Sequence, residues 1–153
     1  MIKLIRTNSD HQDFIKLVQS LNDYLKVTDG DEHEFYNQYN NIDVLKHVVV
    51  AYYNNIPAGC GAFKKFNTET VEIKRMYTVV ELRGKGIASQ IIKELEHWAQ
   101  ELLYKSCVLE TGKRQLEAVS FYKKMNYKVI PNYGQYQGIS NSLCFKKELN
   151  EKG

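Results

Sequence analysis

The chain has 153 residues, of which 43% are hydrophobic and 25% are charged, and its formal net charge is +3. These values are typical of one globular domain, and so small a net charge gives no reason to expect a nucleic-acid partner. Because no apolar stretch approaches the length of a membrane span and the N-terminal residues do not resemble a secretion signal, we expect a cytoplasmic protein without a membrane partner.

The first part of the chain predicts a helical segment. After a short strand over 2–6, Ser9 and Gln12 have the spacing of a capping box, and the apolar residues that follow recur at helical intervals. A run of Asp, Gly and Asp at 29–31 ends this helix. Residues 32–40 then predict a short second helix.

Two turns divide the next part into three strands, over 47–53, 56–66 and 69–80. The first turn is Asn54-Asn55, a two-residue turn of a type that tolerates positive φ. The second turn directly precedes the third strand. The three strands therefore predict an antiparallel meander.

The second half predicts helices that alternate with strands. Its elements are helices over 85–103 and 116–125 and strands over 106–110, 127–130 and 143–147. A meander that feeds a β-α-β-α unit gives a mixed sheet. We therefore expect a single α/β (α+β) domain over residues 1–149, followed by a short C-terminal tail at 150–153.

The loop Arg83-Gly84-Lys85-Gly86-Ile87-Ala88 joins the third meander strand to the long helix after it. A helix N-terminus presents unpaired backbone N–H groups at the positive end of the helix dipole, which suits a phosphate group. The two glycines let the backbone approach an anion because neither carries a Cβ, and Arg83 and Lys85 add positive charge. A plain strand-to-helix turn is the alternative interpretation.

Neither of the two commoner phosphate-binding glycine loops fits these residues. A P-loop ends in Gly-Lys-Ser or Gly-Lys-Thr after a longer spacer, and that ending is missing. A Rossmann fingerprint has three glycines and an acidic residue about twenty positions later. Here the third small residue is Ala88, and the nearby acids Glu94 and Glu101 fall within the helix pattern.

Two carboxylates and one tyrosine are the candidate catalytic residues. Glu72 lies in a strand that we expect to be central and buried, so it requires a partner or a water-filled cleft, where it can accept a proton. Glu110 ends the next strand, and Tyr122 lies on the apolar stripe of the last helix. The alternatives are a strand end that protrudes into solvent and a core tyrosine with a satisfied hydroxyl.

The cysteines and histidines carry no metal signature. Cys60, Cys107 and Cys144 lie in strand-like runs without Cys-x-x-Cys spacing, and the four histidines show no ligand spacing. We therefore predict buried free thiols in a reducing compartment and no bound metal.

Two longer segments, in order, match a known pattern. The first is Arg83-x-x-Gly86-x-Ala88 directly after the strand Glu72-Ile73-Lys74-Arg75-Met76-Tyr77-Thr78-Val79. The second is Glu110-Thr111-Gly112, followed by Gln115, Ala118, Phe121-Tyr122 and Asn126-Tyr127. Both resemble the GNAT superfamily of acyl-coenzyme A-dependent N-acetyltransferases. The resemblance extends over nearly the whole chain.

The resemblance implies a mixed, mostly antiparallel, twisted sheet of about seven strands flanked by four helices and splayed between the fourth and fifth strands. It also implies acetyl-CoA as the co-substrate, with no metal. Its contacts would be the main chain of Met76, Tyr77 and Thr78, the loop residues Arg83, Gly84, Lys85, Gly86, Ile87, Ala88 and Ser89, and Gln115 and Tyr122. Gln115 stands where the family often has Asn.

The resemblance also implies catalytic roles. Tyr122 matches the tyrosine that protonates the leaving thiolate, and Glu72 matches a position where several members carry their general base. Glu110 is the second candidate for the base. The implied reaction moves an acetyl group from acetyl-CoA to a primary amine of a small amine, an amino acid or a peptide, by direct attack.

The acceptor would lie between the segments 30–40 and 131–141. Their candidate residues are Asp31, Glu32, Glu34, Tyr36, Tyr39, Tyr133 and Tyr136. Acidic and aromatic walls suit a cationic amine, although the same residues also fit a solvated helix face. The alternative function is a catalytically silent acetyl-CoA sensor or interaction module with the same fold, and a homodimer is compatible with either function.

Overall fold

The computed structural model describes residues 1–29 and 44–149, and of residues 28 and 29 it describes the backbone only. The strands are β1 (Ile2–Thr7), β2 (His47–Tyr53), β3 (Ile56–Lys65), β4 (Thr70–Thr78), β5 (Ser106–Gly112), β6 (Lys128–Ile130) and β7 (Ser142–Glu148). The α-helices in these ranges are α1 (Gln12–Asp29), α2 (Ile87–Glu101) and α3 (Leu116–Lys124). The short helix predicted over 32–40 and the predicted tail at 150–153 lie outside the described residues.

The predicted mixed sheet is confirmed. Seven strands pair in the order β1-β2-β3-β4-β5-β7-β6, and every pair except β4 with β5 is antiparallel. The parallel pairing covers only Thr70 to Glu72 on β4 and Ser106 to Val108 on β5. Because β4 continues to Thr78 and β5 to Gly112, the fourth and fifth strands diverge beyond Glu72, as the family resemblance implies.

Helices cover both faces of the sheet. On one face, α2 buries Ile87, Ile91 and Leu95 in a core that also contains Phe63 and Tyr122. On the other face, α1 packs its own apolar residues against the opposite side of β2 and β3. Because β2 is covered on both sides, its run from Val48 to Ala51 is fully buried and apolar instead of alternating.

Two local predictions have different outcomes. The turn at Asn54-Asn55 is confirmed, with φ values of 50° and 70°. The capping box at Ser9 is wrong, because the Ser9 hydroxyl accepts a hydrogen bond from the Leu45 backbone N–H (3.0 Å) and the Ser9 N–H donates to the Leu45 carbonyl (2.8 Å). The first turn of α1 is instead capped by His11, whose Nδ1 accepts from the Asp13 backbone N–H at 3.2 Å.

The three cysteines are buried free thiols, which confirms that prediction. Burial raises the pKa of Cys60 and of Cys107 to about 12, so both thiols stay protonated near neutral pH.

Residues 1–29 and 44–149 contain no group of three His, Cys, Asp or Glu side chains that could hold a metal ion. No helix in the same ranges is long and apolar enough to cross a membrane.

His47 makes a specific contribution to the pH dependence of stability. Its ring stacks on Phe63 at 4.7 Å, with Trp98 edge-on at 4.9 Å, and burial lowers the pKa of His47, with a smaller effect from Lys46. At pH values between the lowered pKa of His47 in the folded protein and its pKa of about 6.5 in the unfolded chain, the unfolded chain binds more protons. The free energy of unfolding therefore increases with pH over this range. We expect His47→Phe to flatten the loss of stability below about pH 6.5. Urea unfolding of both proteins from pH 5 to 8 checks this, and parallel curves contradict it.

Candidate active site

A cavity of about 710 Å³ opens where β4 and β5 diverge. Its walls come from the second half of β4, the start of α2, the end of β5, and α3. One side of α1 closes it through Leu21, Asn22, Tyr24 and Leu25, which the sequence alone did not single out. Every residue predicted to be catalytic or to bind the cofactor, except Lys85, is among the lining residues.

A β-bulge shapes the β4 wall. The register shifts between Cys60, which faces Tyr77, and Ala62, which faces Lys74, so β4 carries one extra residue there. Arg75, within the bulge, has φ = 62°, and the Cys60 thiol donates to its carbonyl at 3.3 Å. Beyond Glu72 this strand has no pairing with β5, so its main chain from Met76 to Thr78 lines the cavity edge and is available to an extended ligand.

The glycine loop forms one end of the cavity. Gly84 and Gly86 have φ values of 84° and 82°, in the left-handed region that favours glycine, and α2 begins at Ile87. The N–H of Gln90 makes the first helical bond, to the Gly86 carbonyl, which leaves the amides before it without intrahelical partners. Among the residues that the structure describes, a Cβ on either glycine would find no heavy atom within 4 Å, so this part of the chain leaves the space above both glycines open. These features fit a phosphate group.

The two cations predicted beside the loop lie in different places, because Arg83 lines the cavity and Lys85 does not. The Arg83 Nε donates to the Thr78 carbonyl at 2.9 Å, and its guanidinium lies over Tyr24 at 4.9 Å and 3.6 Å from Glu117. The ammonium of Lys85 instead lies 5.2 Å from the Tyr53 ring, outside the cavity.

Two lysines that sequence reasoning missed do line the cavity, Lys93 on α2 and Lys124 at the end of α3. Lys93 follows Ser89 by four residues, so its position on the same helix face as the loop was detectable from the sequence. With Arg83, these lysines add positive charge to the cavity wall, and Glu117, 3.6 Å from Arg83, offsets part of it.

Tyr122 lines the same cavity as the glycine loop and lies close enough to Glu110 to sense its charge. It is 7% exposed, and its ring contacts Phe121, Tyr127 and Phe145 at centroid distances of 5.3 to 6.0 Å. Within the described part of the chain its hydroxyl has no hydrogen-bond partner, although Tyr122 lines the cavity. Burial raises the pKa of Tyr122, and the charge of Glu110 raises it further, so the hydroxyl remains a donor.

Both candidate bases line the same cavity, and each accepts a hydrogen bond from a hydroxyl. Glu72, only 5% exposed, accepts from the Tyr133 hydroxyl at 2.9 Å through Oε2. Glu110 is less buried and accepts from the Ser142 hydroxyl at 2.7 Å through Oε2. Tyr136 also lines this end, and its pKa is raised by burial and then by the charges of Glu110 and Glu72.

The predicted acceptor walls are described only in part. Tyr133 and Tyr136 lie beside the two carboxylates, whereas Asp31, Glu32, Glu34, Tyr36 and Tyr39 lie outside the described residues. The described part of this end combines two carboxylates with two phenols. That chemistry can hold an amine and remove a proton from it.

Comparison with known proteins identifies the family. The sequence profile of the Acetyltransferase (GNAT) family matches residues 14–127. The uncharacterized N-acetyltransferase YsnE of Bacillus subtilis is 31% identical over 94 residues, which are 60% of this chain and 62% of YsnE. Escherichia coli YjgM, another uncharacterized N-acetyltransferase, is 30% identical over 84 residues, 54% of this chain and 50% of YjgM. The chain thus spans about half to three fifths of the length of these relatives.

Solved structures share the whole fold. A candidate acyl-CoA N-acyltransferase from Klebsiella pneumoniae superposes with a TM-score of 0.82 at 22% identity, and the match covers 98% of this chain and 99% of that one. PaiA N-acetyltransferase from Thermoplasma acidophilum, solved in complex with coenzyme A, has a TM-score of 0.71 at 18% identity over 97% and 99% of the two chains. With its family profile and its diverging central strands, this chain belongs to the GNAT family of acetyltransferases.

Proposed function

We propose that this protein is an N-acetyltransferase that moves the acetyl group of acetyl-CoA to a primary amine, by direct attack of the amine on the thioester. The acceptor is a small amine, an amino acid or a peptide. The observation that carries the proposal is that one cavity is lined by the glycine loop, by both carboxylates and by Tyr122.

The loop end fits the donor substrate. Open space above Gly84 and Gly86, the amides at the start of α2 and the nearby cations suit a pyrophosphate. The diverged main chain of Met76 to Thr78 suits the extended arm of coenzyme A. The buried Tyr122 hydroxyl, which has no hydrogen-bond partner among residues 1–29 and 44–149, suits its sulfur. The PaiA structure contains coenzyme A, and a GNAT acetyltransferase from Elizabethkingia anophelis was solved with acetyl-CoA bound, which supports this donor.

The roles of the residues follow from their positions. An amine is protonated at neutral pH, so a carboxylate, for which we propose Glu72, must take its proton before attack. A backbone N–H near Met76 can donate to the carbonyl oxygen as negative charge develops there. The thioester supplies an activated acetyl group with a good leaving sulfur. Because the pKa of Tyr122 is raised, its hydroxyl acts on that sulfur chiefly as a hydrogen-bond donor.

Release of free thiol from acetyl-CoA, measured against a panel of amines, amino acids and short peptides, tests the proposal. We expect thiol release that depends on one class of amine and that yields the acetylated amine in equal amount. Binding of acetyl-CoA without thiol release from any amine would instead favour the silent sensor.

Gly86→Val is expected to abolish binding of acetyl-CoA. A side chain at φ = 82° is strained and would fill the open space above the loop, so the pyrophosphate could no longer approach. Acetyl-CoA should raise the melting temperature of the wild type by mass action and leave that of the variant unchanged.

Gly138→Val is the matched control for this prediction. Gly138 also has positive φ (78°) and open space around it, but it does not line the cavity. Its variant carries the same kind of backbone strain and should keep the ligand-induced rise in melting temperature. A normal titration by Gly86→Val would contradict the assignment of this loop.

A further inference from the structure

The loop between β6 and β7 contacts the candidate base directly. The Tyr133 hydroxyl donates to Oε2 of Glu72 at 2.9 Å, across 61 residues of sequence. Glu72 lines the cavity and has little contact with solvent. One carboxylate oxygen of Glu72 is therefore occupied by a residue of this loop.

The position of the Tyr133 ring is determined by its neighbours. Phe66 packs edge-on against it at 5.0 Å, and Tyr136 packs against it at 5.7 Å. The side-chain amide of Asn132 donates to the carbonyls of Tyr136, Ile139 and Ser142 at 3.1 to 3.2 Å, which fixes the course of the loop. The hydroxyl is thus aimed by packing and backbone contacts, not by the hydrogen bond alone.

We propose that Tyr133 is a positioning residue for the acetyl transfer: its hydrogen bond holds the Glu72 carboxylate in one orientation, ready to take the proton of the acceptor amine. The proposal rests on the proposed function in assigning Glu72 as the base. Tyr133 itself does not exchange a proton in this scheme. It donates one hydrogen bond throughout.

Burial, together with the charge on Glu72, keeps the Tyr133 phenol a donor. Burial raises the pKa of Tyr133, and the nearby charge of Glu72 and the hydrogen bond to it raise it further. A donor that cannot lose its proton stabilises the charged form of the carboxylate over its neutral form.

Other titratable groups surround this carboxylate, and the test must separate them from Tyr133. They are Lys64 opposite it on β3, Lys74 on β4, Glu110 on β5, Tyr136 in the loop, and Cys144 and Lys146 on β7. None of these is changed by Tyr133→Phe, which removes one oxygen and keeps the ring contacts. Ser142→Ala removes the matching hydroxyl from Glu110 and serves as the paired control.

The pH–rate profile of thiol release from acetyl-CoA, with the best amine of the panel, provides the main measurement. We expect Tyr133→Phe to move the acidic limb of kcat/KM to higher pH by about one pH unit. The rate at acid pH then falls by about tenfold, while the alkaline plateau changes less. Ser142→Ala should leave the limb in place.

Replacing Tyr133 with 3,5-difluorotyrosine gives a second variant that keeps the hydroxyl and nearly the same shape. Fluorine makes the phenol a stronger donor, so the acidic limb should move in the opposite direction, to lower pH. The Tyr133→Phe and Glu72→Gln changes should also be non-additive in turnover, because Tyr133 acts on the rate only through the Glu72 carboxylate.

Several outcomes would overturn the proposal. If the acidic limb of kcat/KM shifts in Ser142→Ala alone, the titration belongs to Glu110. If it shifts in both variants, the titration belongs to the coupled pair of carboxylates. If it shifts in neither variant, Tyr133 does not have this role. Titration of the Glu72 carboxyl carbon by ¹³C NMR, assigned with Glu72→Gln, needs no turnover. If no amine is acetylated, the proposed function fails, yet this titration still shows whether Tyr133 acts on Glu72.

Discussion

Replacing Glu72 with Gln is expected to lower turnover by about 10²–10⁴-fold while leaving the affinity for acetyl-CoA nearly unchanged. Gln keeps the shape of the side chain and can still accept the Tyr133 hydrogen bond, but it cannot take a proton from the amine. Because Glu72 lies at the end of the cavity away from the glycine loop, the donor site should not sense the change. Turnover and the acetyl-CoA-induced rise in melting temperature are measured on the same preparation.

The pH profile gives a second view of the same change. A base works only when deprotonated, so activity falls as pH decreases through its titration, and this acidic limb should flatten in Glu72→Gln. Glu110→Gln is the comparison, since Glu110 lines the same cavity and also carries one hydroxyl partner. A far larger loss in Glu110→Gln than in Glu72→Gln would place the base on β5 instead of β4.

Tyr122→Phe is expected to lower turnover by about 10²–10³-fold and to leave stability nearly intact. The aromatic contacts with Phe121, Tyr127 and Phe145 remain in the variant. Only the hydroxyl is lost, and within the described residues it has no partner whose hydrogen bond would be broken. The rate should fall because the departing sulfur loses its donor.

A core role for Tyr122 predicts the reverse. Removing a satisfied core hydroxyl costs about 1 kcal/mol of stability and leaves the rate alone. Turnover and melting temperature of Tyr122→Phe, measured side by side, therefore distinguish the two roles. A destabilised variant with normal turnover would return Tyr122 to the core and leave the thiolate to depart with the help of solvent.

The local parts of the fold and of the donor site could be predicted from the sequence. Gly84 and Gly86 lie between a β-branched run and an amphipathic run, so the strand-loop-helix unit follows from neighbouring residues, and their positive φ values agree with it. Asn54-Asn55 likewise encodes its own turn. These predictions succeed because backbone preferences and hydrophobic periodicity act over a few residues.

Predictions of side-chain partners were less successful, because the partners come from distant parts of the chain. Ser9 has the spacing of a cap, yet its hydroxyl bonds to Leu45, 36 residues away. Lys85 adjoins the glycines in sequence, but its ammonium turns to Tyr53. Leu116 fits the apolar pattern of the last helix and is nonetheless 75% exposed, since the helix begins at that residue.

The sequence by itself determined the order of the strands and helices over 1–29 and 44–149, the glycine loop before α2 and the identity of the two acidic candidates, because each is encoded in a short run of residues. Only the tertiary structure decided where β4 and β5 diverge, that α1 closes the cavity, and that Tyr133 meets Glu72. These contacts join residues far apart along the chain, and their pairing depends on how the sheet and its helices pack. Local preferences carry no information about such pairing.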